Sequence, residues 1–256
     1  MGNALRERVE RGDVAVGVLD NTYSPTMVEF LGELGADFVW LDLEHAGPSP
    51  RDGERLEGLL RAAERGGTEL LVRVPTAEPE LVRKALDAGV RNLFASRVDT
   101  AAEARRLVES ARFSYDGGPG ERGLASPRAA RWGLREEYTA TEDRETMVGV
   151  TVESRAAVES VEEIVDVPEL GFVFVGPLDL SVALGHPGEP THPEVEAAAE
   201  RVRTAALDAG VPVGGLGFGP DDAESKAERG YRILNLGSTT SAVRATVEGW
   251  LDRWVA

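Results

Sequence analysis

Residues 147–179 read MVGVTVESRAAVESVEEIVDVPELGFVFVGPLD: a β-branched run, a stretch with helical periodicity, then a second β-branched run. That is one βαβ unit, and the same alternation continues in both directions along the chain. Strand-like runs fall at 14–19, 38–42, 70–73, 92–95, 147–152, 172–175, 213–216 and 233–236. Helical stretches follow them at 25–34, 51–65, 78–88, 100–110, 154–165, 193–209, 220–229 and 240–254. Eight units favour an α/β fold of the (β/α)8 barrel type over an open doubly wound sheet, and 256 residues suit one such domain spanning 1–256. Gly35, Gly66, Gly89, Gly210 and Gly230 each follow a helical run, where a left-handed residue ends a helix well. Segment 111–137 is long and Gly-rich for a connector, and it is expected to leave strand four over the mouth of the barrel.

Composition removes several kinds of chemistry. The chain has no cysteine, so disulfides, thiolate metal sites and cysteine nucleophiles are excluded, leaving oxygen and imidazole as ligands. No apolar run is long enough to span a membrane and the N-terminus lacks an apolar leader, so a soluble cytoplasmic protein with no membrane partner is expected. With 45 acids against 28 bases and a formal charge of −17, the chain repels phosphate backbones, which argues against a nucleic-acid partner.

Active-site groups of such barrels gather at the C-terminal ends of the strands. Four of those ends are polar here: Leu41-Asp-Leu-Glu-His, Val72-Arg-Val-Pro, Thr151-Val-Glu-Ser and Gly176-Pro-Leu-Asp-Leu-Ser. Strand alternation turns Gly149, Thr151 and Glu153 toward the barrel interior, where a carboxylate needs a cationic partner or a metal. Capping of the following helix is the plainer role for Glu153, as an Asx turn is for Asp179. Together, two carboxylates with open positions for water and substrate suit Mg2+ or Mn2+. His45 lies three residues past Asp42, which could hold one imidazole nitrogen and leave the other as a base. Arg73 could grip a carboxylate or enolate in a fork, or form a salt bridge with Asp42 or Glu153. His186 and His192 fall in a Pro-rich, surface-like loop and read as loop polarity. Lys84 and Lys226, the only lysines, sit inside helical stretches, so a Schiff-base mechanism lacks its lysine at a strand end.

The runs Gly35-Ala-Asp-Phe-Val-Trp-Leu-Asp-Leu-Glu-His, Val72-Arg-Val-Pro, Leu86-Asp-Ala-Gly, Glu121-Arg-Gly, Val152-Glu-Ser and Val175-Gly-Pro-Leu-Asp-Leu-Ser, in that order, resemble the HpcH/HpaI aldolase family over nearly the whole chain. The resemblance implies a class II pyruvate aldolase that cleaves a 4-hydroxy-2-oxo acid, a 2-keto-3-deoxy sugar acid or an oxo-diacid, to pyruvate and an aldehyde through a metal-stabilised enolate. It implies Glu153 and Asp179 as ligands of Mg2+, Mn2+ or Co2+, Arg73 on the oxygens of pyruvate, and His45 with Asp42 as the base. The backbone of Gly176, Pro177, Leu178 and Asp179 would hold the carboxylate, with Thr151 beside it, while the loop from Leu216 would read the aldehyde. A homo-oligomer, a trimer of dimers exchanging the C-terminal helix over 243–255, is implied as well. Two departures stand out: Thr151 occupies a position where the family usually carries Gln, and Ser96-Arg-Val replaces Pro-x-Val after strand four. Two rivals remain at this stage, an acyl-CoA lyase of the citrate-lyase-beta type, drawing on Arg112, Arg122, Arg128 and Arg131 for phosphate, and a non-catalytic carboxylate-binding barrel.

The acid excess and the scarcity of lysine also read as adaptation to high salt, where a dense acidic surface stays hydrated. Thermal melts in increasing KCl should then show stability rising into the molar range; a flat or falling series would remove the halophilic reading.

Overall fold

The computed structural model describes residues 2–255; Met1 and Ala256, the ends of the expected domain, lie outside the described residues. Eight parallel strands, β1 Ala15–Leu19, β2 Phe38–Asp42, β3 Glu69–Val74, β4 Asn92–Ala95, β5 Met147–Val152, β6 Phe172–Val175, β7 Val213–Leu216 and β8 Tyr231–Ser238, close into a barrel. The order around the barrel is β1-β8-β7-β6-β5-β4-β3-β2. Helices between successive strands cover the outside through one apolar layer that includes Val39, Leu41, Val72, Val150 and Val173 from the outward strand faces. Among the described residues, no helix is long and apolar enough to cross a membrane.

The interior is filled by large rings next to missing side chains. Phe38, Trp40, Leu71, Phe94, Met147, Phe172, Phe174 and Ile233 form one buried cluster, closed at the bottom by Leu5 and Val9 of the N-terminal helix Ala4–Glu10. Gly17 pairs with Phe38 across β1 and β2, and a Cβ on it would meet the phenyl ring at 2.4 Å. Gly149 does the same for Phe172, at 2.6 Å. The rings of Trp40, Phe94, Phe172 and Phe174 then lie 5.3–5.8 Å apart, contacts worth about 1 kcal/mol each beyond burial. They make a rigid aromatic floor below the barrel mouth.

Several local expectations shift. Gly66 is the last residue of the helix Gly53–Gly66, and Gly67, at φ 73°, takes the left-handed cap. Gly66 is needed for a different reason: a Cβ there would fall 2.6 Å from the carbonyl oxygen of Glu29, where two helices touch backbone to backbone. The helix expected over 154–165 breaks at Ser160 into Arg155–Glu159 and Val161–Val165. Pro177–Ala183, read as a turn, is a helix, because Pro177 at its first position is already set to the helical φ.

The largest correction concerns segment 111–137, which was expected to cover the barrel mouth. It lies at the other end, because the helix Ala101–Ser110 first carries the chain back down from β4. Arg112 there pairs with Glu169 at 2.8 Å, and both line a bottom cavity with Arg6 and with Met147, the first residue of β5. The segment also contains a short hairpin of Ser114–Tyr115 with Gly118–Pro119, a 3-10 turn at Arg128–Gly133 and, after it, a helix at Tyr138–Glu145.

Candidate active site

The mouth of the barrel is organised by a buried ion pair between adjacent strands. Asp42 ends β2 directly opposite Arg73 of β3, and the two meet through Nε–Oδ1 at 2.9 Å and Nη2–Oδ2 at 2.6 Å. The guanidinium sits 5.2 Å above the Trp40 ring centre, so the floor supports the cation. Burial alone would raise the pKa of Asp42, but the hydrogen bonds and charge of Arg73 outweigh it and hold the carboxyl below its ordinary range. The same pairing raises Arg73 against the pull of its own burial. Losing either partner would strand a buried charge, which costs about 3–5 kcal/mol.

This geometry changes two expected roles. The fork of Arg73 is spent on Asp42 and its Nη1 lies 3.2 Å from Glu44, so the guanidinium is engaged by two acids before any ligand arrives. His45 does not place its imidazole on Asp42; Asp42 Oδ1 accepts the backbone N–H of Glu44 and, at 3.5 Å, that of His45. The His45 ring is half exposed, with Nε2 3.5 Å from Glu44 Oε2. The acid beside the imidazole is therefore Glu44.

Glu44 is the residue that the sequence reading missed. Its Oε2 accepts a hydrogen bond from Ser96 Oγ at 2.6 Å and its Oε1 one from Arg97 Nε at 3.3 Å, so one acid ties together the ends of β2, β3 and β4. The signal was present, since Asp42 and Glu44 are two apart and share a face of the strand end. Ser96 and Arg97 were noticed only as a departure from a motif. Arg97, at φ 57°, presents its backbone N–H to Glu153 Oε1 at 2.8 Å while its side chain stays exposed.

Glu153 is buried, and its second oxygen, Oε2, has no hydrogen-bond partner among the described residues. Its pKa is pushed up to about 7, first by burial and then by the negative charges of Glu44 and Asp179, against the Arg97 N–H and the charge of Arg73. Gly176, at the end of β6, closes over this oxygen: a Cβ on it would lie 2.9 Å from Thr151 Cγ2 and 3.1 Å from Glu153 Oε2. Asp179 follows in the first turn of the helix Pro177–Ala183 and is half-buried. Thr151 Oγ1 is likewise buried without a partner. Leu216, at the end of β7, packs on the aromatic floor, and Leu178 is exposed.

The donor set fits a hard divalent cation. Four carboxylates, Asp42, Glu44, Glu153 and Asp179, face two guanidiniums, Arg73 and Arg97, which leaves two formal negative charges at the mouth. A free carboxylate oxygen and a neighbouring acid are the protein ligands that an Mg2+ or Mn2+ ion keeping most of its waters could take. His186 and His192 lie elsewhere, on the loop that follows this helix.

Comparison with known proteins gives the family of the chain. Residues 17–245 match the family model described as HpcH/HpaI aldolase/citrate lyase. The chain is 35% identical over 238 residues to a hydroxypyruvate/pyruvate aldolase of Paraburkholderia phytofirmans, covering 91% of this chain and 90% of that one. It is 33% identical over 242 residues to a 2-keto-3-deoxy-L-rhamnonate aldolase of Escherichia coli, covering 94% and 88%. A crystal structure of an HpcH/HpaI aldolase/citrate lyase family protein from Burkholderia cenocepacia superposes with a TM-score of 0.92 at 35% identity, over 99% of this chain and all of that one.

The raised pKa of Glu153 has a definite sign. Between its ordinary value of 4.5 and about 7, folded Glu153 keeps a proton that the unfolded chain has lost, so the metal-free protein loses stability as pH rises through that window. The displacement corresponds to on the order of 3 kcal/mol. Urea unfolding in EDTA should show Glu153→Gln gaining on the wild type by roughly that amount between about pH 5 and pH 8. An equal difference at both pH values would mean that Glu153 is not held protonated by its surroundings.

Proposed function

The chain belongs to the HpcH/HpaI aldolase/citrate lyase family and is a carbon–carbon lyase, and on that premise we propose that it is a divalent-metal-dependent aldolase. Its reaction is the reversible cleavage of a 4-hydroxy-2-oxo acid to pyruvate and an aldehyde. The supporting observation is the free, buried oxygen of Glu153 beside Asp179 and under Gly176. A cation held by Glu153 and Asp179 would supply Lewis-acid charge next to the 2-oxo group.

The remaining steps belong to the protein's own side chains. Backbone at Gly176–Asp179 and the hydroxyl of Thr151 orient the carboxylate end of the substrate. The positive charge of Arg73 favours charge developing on the 2-oxo oxygen. His45, exposed at the rim next to Glu44, accepts the C4 hydroxyl proton. The O–H electron pair becomes the aldehyde carbonyl, the C3–C4 pair moves toward the 2-oxo oxygen as an enolate, and protonation at C3 releases pyruvate. The acyl-CoA alternative loses its main support, because Arg112, Arg122 and Arg128 are engaged by Glu169, Glu142 and Glu64 away from the mouth. The location fitting this activity is the cytoplasm.

A retro-aldol screen of 2-keto-3-deoxy sugar acids and oxo-diacids, with lactate dehydrogenase reporting pyruvate, tests the proposal. Glu153→Ala and Asp179→Ala should each lower metal-dependent pyruvate formation by about 100-fold or more. Full turnover in EDTA, or in either variant, would overturn it.

A homo-oligomer is part of the proposal, a trimer of dimers in which the C-terminal helix Thr239–Val255 exchanges between subunits. Val243, Trp250, Leu251 and Trp254 on that helix are all more than half exposed, a larger apolar surface than a solitary helix leaves in water. Light scattering should give six times the 27.4 kDa chain mass; a monomer would refute the assembly.

A further inference from the structure

Two of the chain's three histidines, unused by the chemistry at the barrel mouth, meet a carboxylate on the loop after the helix that carries Asp179. We propose that His186, His192 and Glu194 form a second cation site, for a borderline transition metal such as Zn2+, Ni2+ or Co2+. The ligand-capable atoms of the three residues already lie within 4.8 Å of one another. In a tetrahedral zinc site with bonds of about 2.0–2.1 Å, ligand atoms stand roughly 3.3 Å apart, so side-chain rotations that unstack the two rings complete the set.

The loop is built to hold these groups before any ion arrives. The buried hydroxyl of Ser181 accepts the N–H of Gly188 at 3.1 Å, and the carbonyl oxygen of Ser181 accepts the N–H of His186 at 2.7 Å. Two further turns follow, Glu189 N–H to the oxygen of His186 and His192 N–H to the oxygen of Glu189, each at 3.0 Å. The imidazoles stack at 3.4 Å with a 16° interplanar angle, and His186 Nε2 lies 3.0 Å from Glu194 Oε2. Arg155 stands 3.4 Å from the other oxygen of Glu194, so one oxygen has a cationic neighbour and the other faces the rings. Backbone ordering therefore costs little when a cation binds. What binding gives up is the stacking, since ring lone pairs lie in the ring planes, the hydrogen bond between His186 Nε2 and Glu194, and the long 3.3 Å bond by which His192 Nδ1 accepts the Glu194 N–H.

Donor chemistry separates this site from the barrel mouth. Imidazole nitrogen favours zinc, nickel, cobalt and copper, whereas the oxygen-only pair Glu153 and Asp179 favours magnesium or manganese. With no cysteine in the chain, imidazole is the side chain best matched to a borderline ion. The competing account is that the pair merely caps the helix Pro193–Asp208, with His192 at its N-cap.

Calorimetric titration of EDTA-stripped full-length protein with Zn2+, in excess Mg2+ to occupy the mouth, separates the two. One Zn2+ per chain should bind, and His186→Asn and His192→Asn should each weaken it tenfold or more. Asn is itself a favoured N-cap, so His192→Asn removes the imidazole while keeping the cap. Thermal melts of both variants in EDTA should match the wild type, which rules out lost folding as the cause. Co2+ should show imidazole-dependent visible bands in the wild type alone. Zn2+ binding with the same affinity in both variants, or none at millimolar Zn2+, would overturn the site whether or not the chain proves to be an aldolase.

Discussion

Everything at the barrel mouth is referred to the Asp42–Arg73 pair. Two opposite charges occupy the ends of neighbouring strands, both more than nine-tenths buried, and neither position is tolerable alone. Their bidentate contact fixes the guanidinium plane above Trp40, and that plane fixes where Nη1 meets Glu44. Glu44 in turn gathers Ser96, Arg97 and the ring of His45. Arg97 carries the chain of contacts to Glu153 through its backbone N–H. Four strand ends are thus linked by hydrogen bonds and charge, above a floor of rings that cannot move far.

The barrel was legible in the chain because its strands are short β-branched runs and its helices amphipathic, two periodicities that differ plainly. All eight strands appear where those runs fall, displaced at most by a residue or two at their ends. What could not be read was where a connector lies relative to the barrel ends. Segment 111–137 follows a helix rather than a strand, and counting from the strand alone put it at the wrong end. The helix Pro177–Ala183 was hidden for another reason: Gly-Pro reads as a turn, yet Pro at a first helical position is equally regular.

The site was legible in its membership more than in its pairings. Asp42, Arg73, Thr151, Glu153, Gly176 and Asp179 do converge at one mouth, because strand alternation and strand ends decide which way they face. Pairing is a matter of competition, which spacing along the chain does not reveal. Asp42 has Arg73 opposite it in register, a closer and fully charged partner, so it was never available to orient His45. Glu44 drew no role from the sequence, where it stands just past the strand end between Leu43 and His45. Only the closed barrel shows that it points inward, onto Arg73 and Ser96.

Thr151 deserves its weight in this light. A longer side chain in its place could reach the open oxygen of Glu153, but a Cβ on Gly176 would already touch both residues, so the space between β5 and β6 is close-fitting. Thr151 leaves its own hydroxyl unpaired next to an unpaired carboxylate oxygen, two groups that burial penalises unless something polar enters. Burial and the negative charges of Glu44 and Asp179 push the Glu153 carboxyl up to about 7, the electrostatic counterpart of its unpaired oxygen.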